Sequence, residues 1–277
     1  MHYNAKTHII IVPNWIHIKI MKDIILVKLG GSIITNKKIP YSARRANTLR
    51  LARELKSSKY PMILAHGSGS FGHTSAVKFG GKKGYKNVKG IAKVAFDAIT
   101  INQIVMEILI KQGLPVVSLH PMSMMLAKSG KTEALFFKPL EEALKQGLIP
   151  VVFGDVIWDK SWKSTIFSGE TILSKIAVYL KKNGFKIKRI IQVGETNGVY
   201  DQNKKTVPLI TRENWPNIKK FIFKLNSNDV TGGMMHKIDN ALLVANLGIE
   251  TLLINGNLRN ELSRALNNKK NGGTLIK

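Results

Sequence analysis

From Asp23 onward, short runs of β-branched and other apolar residues alternate with longer stretches whose apolar positions recur every three to four residues. The runs Ile24–Leu29, Met62–Ala65, Pro115–Leu119, Ile149–Phe153, Ile190–Val193 and Thr251–Ile254 predict buried strands of ordinary length. Between them Arg44–Ser57, Ile91–Gln112, Pro139–Gln146, Thr171–Lys182 and Met234–Leu247 predict amphipathic helices. The clearest places Ile91, Val94, Ala95, Ala98, Ile101, Val105 and Ile108 on one face. Strand and helix in regular alternation predict an α/β fold with a mainly parallel sheet covered on both faces. The polar, turn-rich stretches Trp158–Ser168 and Thr196–Trp215 read as loops or hairpins at lobe boundaries. In such a sheet ligands bind beyond the carboxyl ends of the strands, so the loops there carry the functional reading.

Composition narrows the partners. The 277 residues hold 43 Lys+Arg against 17 Asp+Glu, a formal charge of +26, which favours anions. The basic residues are spread along the chain, with no zinc-finger spacing, basic zipper or aromatic RNP signature. A small-molecule phosphate substrate is therefore expected rather than nucleic acid, with a basic nucleic-acid-binding protein as the non-enzymatic alternative. With no cysteine there is no disulfide framework, thiolate metal site or cysteine nucleophile, and a reducing cytoplasmic setting is permitted. The apolar segment His8–Ile20 is interrupted by Pro13, Asn14, His17 and Lys19 and is too short to span a bilayer, so no membrane role is expected. Residues 1–22 read as an extension ahead of the domain, with Met21 a candidate start.

Five segments carry chemistry. Lys28-Leu29-Gly30-Gly31-Ser32 follows the first strand, where paired glycines let main-chain N–H groups approach a phosphate. Lys28 and, nine residues on, Lys37 supply charge there. His66-Gly67-Ser68-Gly69-Ser70-Phe71-Gly72-His73 follows the second strand and can wrap donors around an anion, with His73 donating to a phosphate oxygen. No acidic or cysteine partner stands near these histidines to complete a metal shell. Asp155, at another strand end, is expected to orient the two lysines by ion pairing. Ser168, Gly169 and Glu170 open a helix, the first two offering N–H groups to an anion. Asn228–Lys237 runs into another helix through Gly232 and Gly233, which weaken a helix but suit a phosphate, with Lys237 able to fold back on it. The P-loop pattern, the dinucleotide fingerprint and the protein-kinase signatures are absent.

Taken in order, KLGGSIITNK, HGSGSFGH, GDV, SGE, NGVYD and DVTGGM with its following lysine resemble the amino acid kinase family from about Ile24 to Ile276. That resemblance implies a three-layer αβα sandwich with an acceptor-binding lobe (23–168), an ATP-binding lobe (169–277) and a homodimer. It implies ATP and Mg²⁺, with Lys28 and Lys37 neutralising the transferring phosphoryl and Asp155 organising them. Gly30, Gly31, Ser32 and Gly69 would contact ATP phosphates, and Gly232, Gly233 and Lys237 would bind nucleotide. His73 would hold the acceptor's own phosphate, as in the branch of the family that acts on isopentenyl phosphate or fosfomycin. Ser68, Gly69, Ser168, Gly169 and Glu170 would line the acceptor side. Two departures are visible: Ser168-Gly169-Glu170 stands where the family commonly has SGD, and GETNGVY (194–200) where it has TDVDGVY.

Overall fold

A computed structural model describes residues 23–81, 83–85, 87–225 and 232–277. The extension 1–22 and the stretch Asn228–Thr231 lie outside the described residues. The first half runs β1 (Ile24–Leu29), α1 (Gly31–Ile34), α2 (Arg45–Leu55), β2 (Met62–His66), α3 (Gly69–Phe79), β3 (Gly80–Gly81), β4 (Gly84–Tyr85), α4 (Val88–Lys111) and β5 (Val116–Ser118). It continues through β6 (Met125–Lys128), β7 (Lys131–Leu135), α5 (Lys138–Lys145), β8 (Ile149–Phe153), β9 (Asp155–Asp159) and β10 (Lys163–Phe167). The second half adds α6 (Gly169–Lys182), β11 (Ile187–Gly194), β12 (Leu209–Ile210), α7 (Trp215–Leu225), α8 (Gly232–Ala245), β13 (Thr251–Asn255), α9 (Glu261–Leu266) and β14 (Thr274–Ile276).

All six strands read from the sequence enter one eight-stranded sheet of order β12-β14-β13-β11-β1-β2-β8-β5. Its pairings are parallel except β13 with β14. Side chains alternate across a strand, so β1 feeds two cores. Ile25, Val27 and Leu29 pack with residues of α2, α4 and α9, whereas Ile24 and Leu26 pack with residues of α5, α6 and α8. This is the three-layer αβα sandwich, and β1 lies at its centre.

The alternation also decides where Lys28 goes. It continues the Ile24 and Leu26 face and is therefore directed into the layer that holds α6, where Ile172, Leu173, Ile176 and Ala177 are buried.

Two elements depart from the sequence reading. The glycine-rich stretch after β2 is a loop only as far as Ser68; α3 begins at Gly69 and packs along α4. Three glycines between 67 and 72 lower the intrinsic helix propensity, and the packing overrides it. A second, four-stranded sheet of order β10-β9-β6-β7 projects from the main one. Its β6–β7 turn, Ser129-Gly130, has positive φ at both residues (50° and 74°), the demand of a tight hairpin. Asp159 caps that turn, accepting N–H bonds from Ser129 at 3.1 Å and Gly130 at 2.7 Å.

Candidate active site

The sheet's hydrogen-bond ladder does not stop at the strand ends. Gly256 N–H donates to Gly194 O (2.7 Å), Gly30 N–H to Val193 O (2.8 Å), Gly67 N–H to Leu29 O (3.1 Å) and Gly154 N–H to His66 O (2.9 Å). The loops after β13, β11, β1, β2 and β8 are thus held in one row by their own backbones. They also touch. A Cβ on Gly31 would lie 2.8 Å from Gly69 Cα, and one on Gly169 would lie 2.7 Å from His66 O. Only glycine permits this approach, and it draws the heads of α1, α3 and α6 together. The first amides of a helix have no intrahelical acceptor, which makes such a meeting point attractive to phosphate. Thr35 fixes the junction from below. Its hydroxyl donates to Gly31 O at 2.7 Å and accepts from Ser70 N–H at 3.0 Å, joining the end of α1 to the start of α3.

Lys28, 4% exposed, donates to Glu170 across a buried ion pair. Burial pushes the Glu170 carboxyl up, but the charges of Lys28 and Lys237 and the bond from Lys28 pull it down further, to about 2. Lys237, on the second turn of α8, has its pKa lowered first by burial, then by the Lys28 charge; Glu170 opposes this, Lys37 adds to it and Glu195 opposes it. Lys28 and Lys237 thus act on one another beside one carboxylate, and the charge of Lys37 is felt at Lys237. Lys28 and Lys237 line the same pocket, together with Gln192, Gly194, Thr196 and Met234. Net positive charge in a partly desolvated space beside helix N-termini is the electrostatic environment a transferring phosphoryl group requires.

The ion pair with Lys28 expected of Asp155 is made by Glu170. Asp155 is 3% exposed and accepts N–H bonds from Met122 (3.1 Å) and Val156 (2.8 Å) at the start of β9. Burial raises its pKa to about 7 against those two bonds, and among the described residues its carboxylate forms no ion pair. Glu170, expected on the acceptor side, has its Oε1 engaged by Lys28. Ser168 serves as the N-cap of α6, its hydroxyl accepting from Thr171 N–H at 3.1 Å. Gly169 is the close-contact glycine against His66. Ser68 stands at the head of α3, and His73 is exposed on the second turn of the same helix. Gly232 and Gly233 open α8. Lys37 is exposed in the turn after α1, and its charge reaches Lys237.

A buried polar chain beneath the cradle was not read from the sequence. His66 Nε2 lies 3.0 Å from Asn102 Oδ1, Asn102 Nδ2 donates to Ser118 Oγ at 2.7 Å, and His66 Nδ1 is 3.1 Å from Gly67 O. Burial, the largest influence, lowers the His66 pKa, so the ring is neutral. The signal was an asparagine on the apolar face of α4, at helical spacing with Ala98 and Val105. The GETNG departure is accommodated locally: Glu195 pairs with Arg44 at 3.2 Å, and Asn197 accepts from Asn255 at 2.9 Å.

The sequence profile described as "Amino acid kinase family" matches residues 23–255. The isopentenyl phosphate kinase of Methanocaldococcus jannaschii is 32% identical over 87% of this chain and 94% of its own length. That of Methanothermobacter thermautotrophicus is 31% identical over 91% and 98%. Among solved structures, one described as "X-ray structures of isopentenyl phosphate kinase" superposes with a TM-score of 0.77 at 27% identity, covering 92% of this chain and 100% of that one.

Proposed function

This chain belongs to the amino acid kinase family, and we propose that it transfers the γ-phosphoryl group of ATP to isopentenyl phosphate, giving isopentenyl diphosphate for isoprenoid synthesis. The observation that carries the reading is the pair Lys28 and Lys237 about Glu170, with the charge of Lys37 reaching Lys237, beside glycine loops whose backbones are stitched together. The choice of acceptor is supported by relatives of that name aligned over nearly their whole length.

The nucleotide binds on the side of residues 169–277, where the pocket with Lys237, Gly194, Thr196 and Met234 opens and α8 begins at Gly232 and Gly233. The acceptor binds on the side of residues 23–168, its phosphate at the head of α3 with Ser68, Gly69 and His73. A phosphate oxygen of the acceptor attacks the γ-phosphorus in line, a new P–O bond forms, the bond to the β-phosphate oxygen breaks, and ADP leaves. The attacking oxygen is already anionic at neutral pH, so no general base is needed. Lys28 and Lys37 offset the repulsion between the two anions and the charge on the equatorial oxygens, while Glu170 holds Lys28 in place. The amides of Gly31 and Ser32 cradle the donor phosphates, and Gly30, whose own N–H is bonded to Val193 O, lets the phosphates approach the backbone. Mg²⁺ would accompany the nucleotide, held mainly by its phosphates and by water, and supplies further charge neutralisation. The reading carries with it a cytoplasmic homodimer. Among the described residues no helix is long and apolar enough to cross a membrane.

The decisive experiment offers purified protein ATP, Mg²⁺ and, in parallel, isopentenyl phosphate, fosfomycin and N-acetylglutamate. ADP release and the ³¹P spectrum of the product should single out isopentenyl phosphate by kcat/KM. Turnover no higher than that of a His73→Ala variant, or preference for another acceptor, overturns the assignment.

A further inference from the structure

We propose that Tyr41 is a positioning residue for Lys37, clamping the loop that carries this lysine against α3 and α4. The inference rests on the reading that Lys37 acts on the transferring phosphoryl group.

The chain between α1 and α2 leaves the sheet and returns to it. Its base is closed by the Thr35–Ala43 bridge and by backbone bonds from Asn36 N–H to Ser42 O (2.8 Å) and from Arg44 N–H to Ile34 O (2.7 Å). Lys37 lies in the exposed turn beyond that base, where the local bonds, Lys38 N–H to Asn36 Oδ1 at 3.1 Å and Ile39 N–H to Asn36 O at 3.3 Å, fix only its immediate neighbours. A flexible side chain on an unanchored turn would place its ammonium group poorly for transfer chemistry, which is sensitive to small displacements.

Tyr41 supplies the anchor. Its backbone is left-handed (φ 54°), a conformation that a bulky L residue keeps only when its surroundings hold it there. Those surroundings are specific. The ring packs edge-on against Phe71 of α3 (5.7 Å, 87°), and the hydroxyl donates to Asp97 Oδ2 of α4 at 3.3 Å. The other Asp97 oxygen accepts from Lys93, whose ammonium group also stands 5.0 Å from the centre of the Tyr41 ring. Next along the chain, Ser42 N–H donates to Ser70 Oγ at 3.3 Å.

Asp97 makes the arrangement more than local packing. It is 2% exposed on a face of α4 otherwise formed by Val94, Ala98 and Ile101. A carboxylate in that position costs folding free energy unless it is paired, and the transfer reaction makes no use of it. Its two oxygens serve Lys93 and Tyr41. Ser70 is also the residue whose amide Thr35 holds at the head of α3. The loop with Lys37 is thus referenced to the helix that bears Gly69 and His73.

The test is a double-mutant cycle on the full chain. Tyr41→Phe keeps the ring and loses the bond to Asp97; Tyr41→Asn tolerates the left-handed backbone and loses both. With unchanged melting temperature, Tyr41→Phe is expected to lower kcat about tenfold and Tyr41→Asn further, with KM for ATP little changed. In a Lys37→Ala background neither should lower the residual kcat again, because the group being positioned is gone. Losses that multiply with that of Lys37→Ala, or a Tyr41→Asn variant at the parent rate, overturn the clamp and leave the site reading intact. A Lys37→Ala variant at the parent rate overturns the role of Lys37 itself, and the clamp with it.

Discussion

Lys28 and Glu170 stand 142 positions apart and meet in a buried ion pair between the carboxyl end of a central strand and the first turn of α6. The strand supplies direction and the helix supplies a cap and a dipole favourable to the acid. Removing one partner leaves the other as an uncompensated buried charge. Glu170→Ala should therefore lower stability by about 3–5 kcal/mol and kcat by at least about a hundredfold. Glu170→Asp, which keeps the carboxylate on a shorter arm, should recover much of the stability. Denaturant unfolding and ADP release measured on the same preparations check both.

The glycine contacts give a second expectation, this time with an internal control. Gly31→Ala puts a methyl group 2.8 Å from Gly69 Cα, whereas nothing lies within 4 Å of a Cβ on Gly272. The first should cost about 1–3 kcal/mol through displaced backbone, with a fall in kcat. The second should change stability by no more than about 0.5 kcal/mol. Thermal melts of the pair decide it.

Two carboxylates set opposing pH dependences. Asp155, raised from 3.8 to about 7, binds its proton more tightly in the folded state, so its contribution is present at low pH and is lost as pH rises through about 7. Glu170, lowered from 4.5 to about 2, contributes above its unfolded value and loses that contribution as pH falls towards 2. Urea midpoints followed from pH 4 to pH 8 should flatten in Asp155→Asn, and the acid limb below pH 4.5 should flatten in Glu170→Gln. Each slope reaches at most about 1.4 kcal/mol per pH unit.

His66 is a structural test of the buried chain. It stacks on Phe153 at 5.6 Å and bonds Asn102. His66→Ala leaves both a cavity and an unpaired amide, which should cost about 2–4 kcal/mol. Because burial lowers the ring's pKa below 6.5, the contribution of His66 is lost as pH falls below that value, so the stability gap between parent and variant should narrow from pH 8 to pH 5 whatever the other groups do. Chemical unfolding at pH 5 and pH 8 measures the difference.

Strand ends and their glycines were legible in the sequence because a buried parallel strand is a short apolar run and the phosphate loops follow it directly. What could not be read was which carboxylate faces the lysines. Asp155 and Glu170 both lie near strand ends, and only the order of strands separates them. Lys28 shares the face of Ile24 and Leu26 and so meets α6, while Asp155 begins β9 and turns into the smaller sheet. The helix in HGSGSFGH was hidden because its glycines speak against one locally and α4 decides in its favour. The β6–β7 hairpin had a signal in Ser129-Gly130, but its strands are only four and five residues long, too short for a period of two to stand out in the sequence.

The row of loops joined through Gly256, Gly30, Gly67 and Gly154 is tied together by main-chain hydrogen bonds. The backbone that would cradle the donor phosphates then does not depend on which side chains meet the acceptor. Under the proposed function, exchanges along the wall that α3 offers the acceptor can therefore retune which molecule is phosphorylated while the loop backbone survives. Selection for a new substrate in this scaffold should draw its changes from that wall and leave the glycines alone.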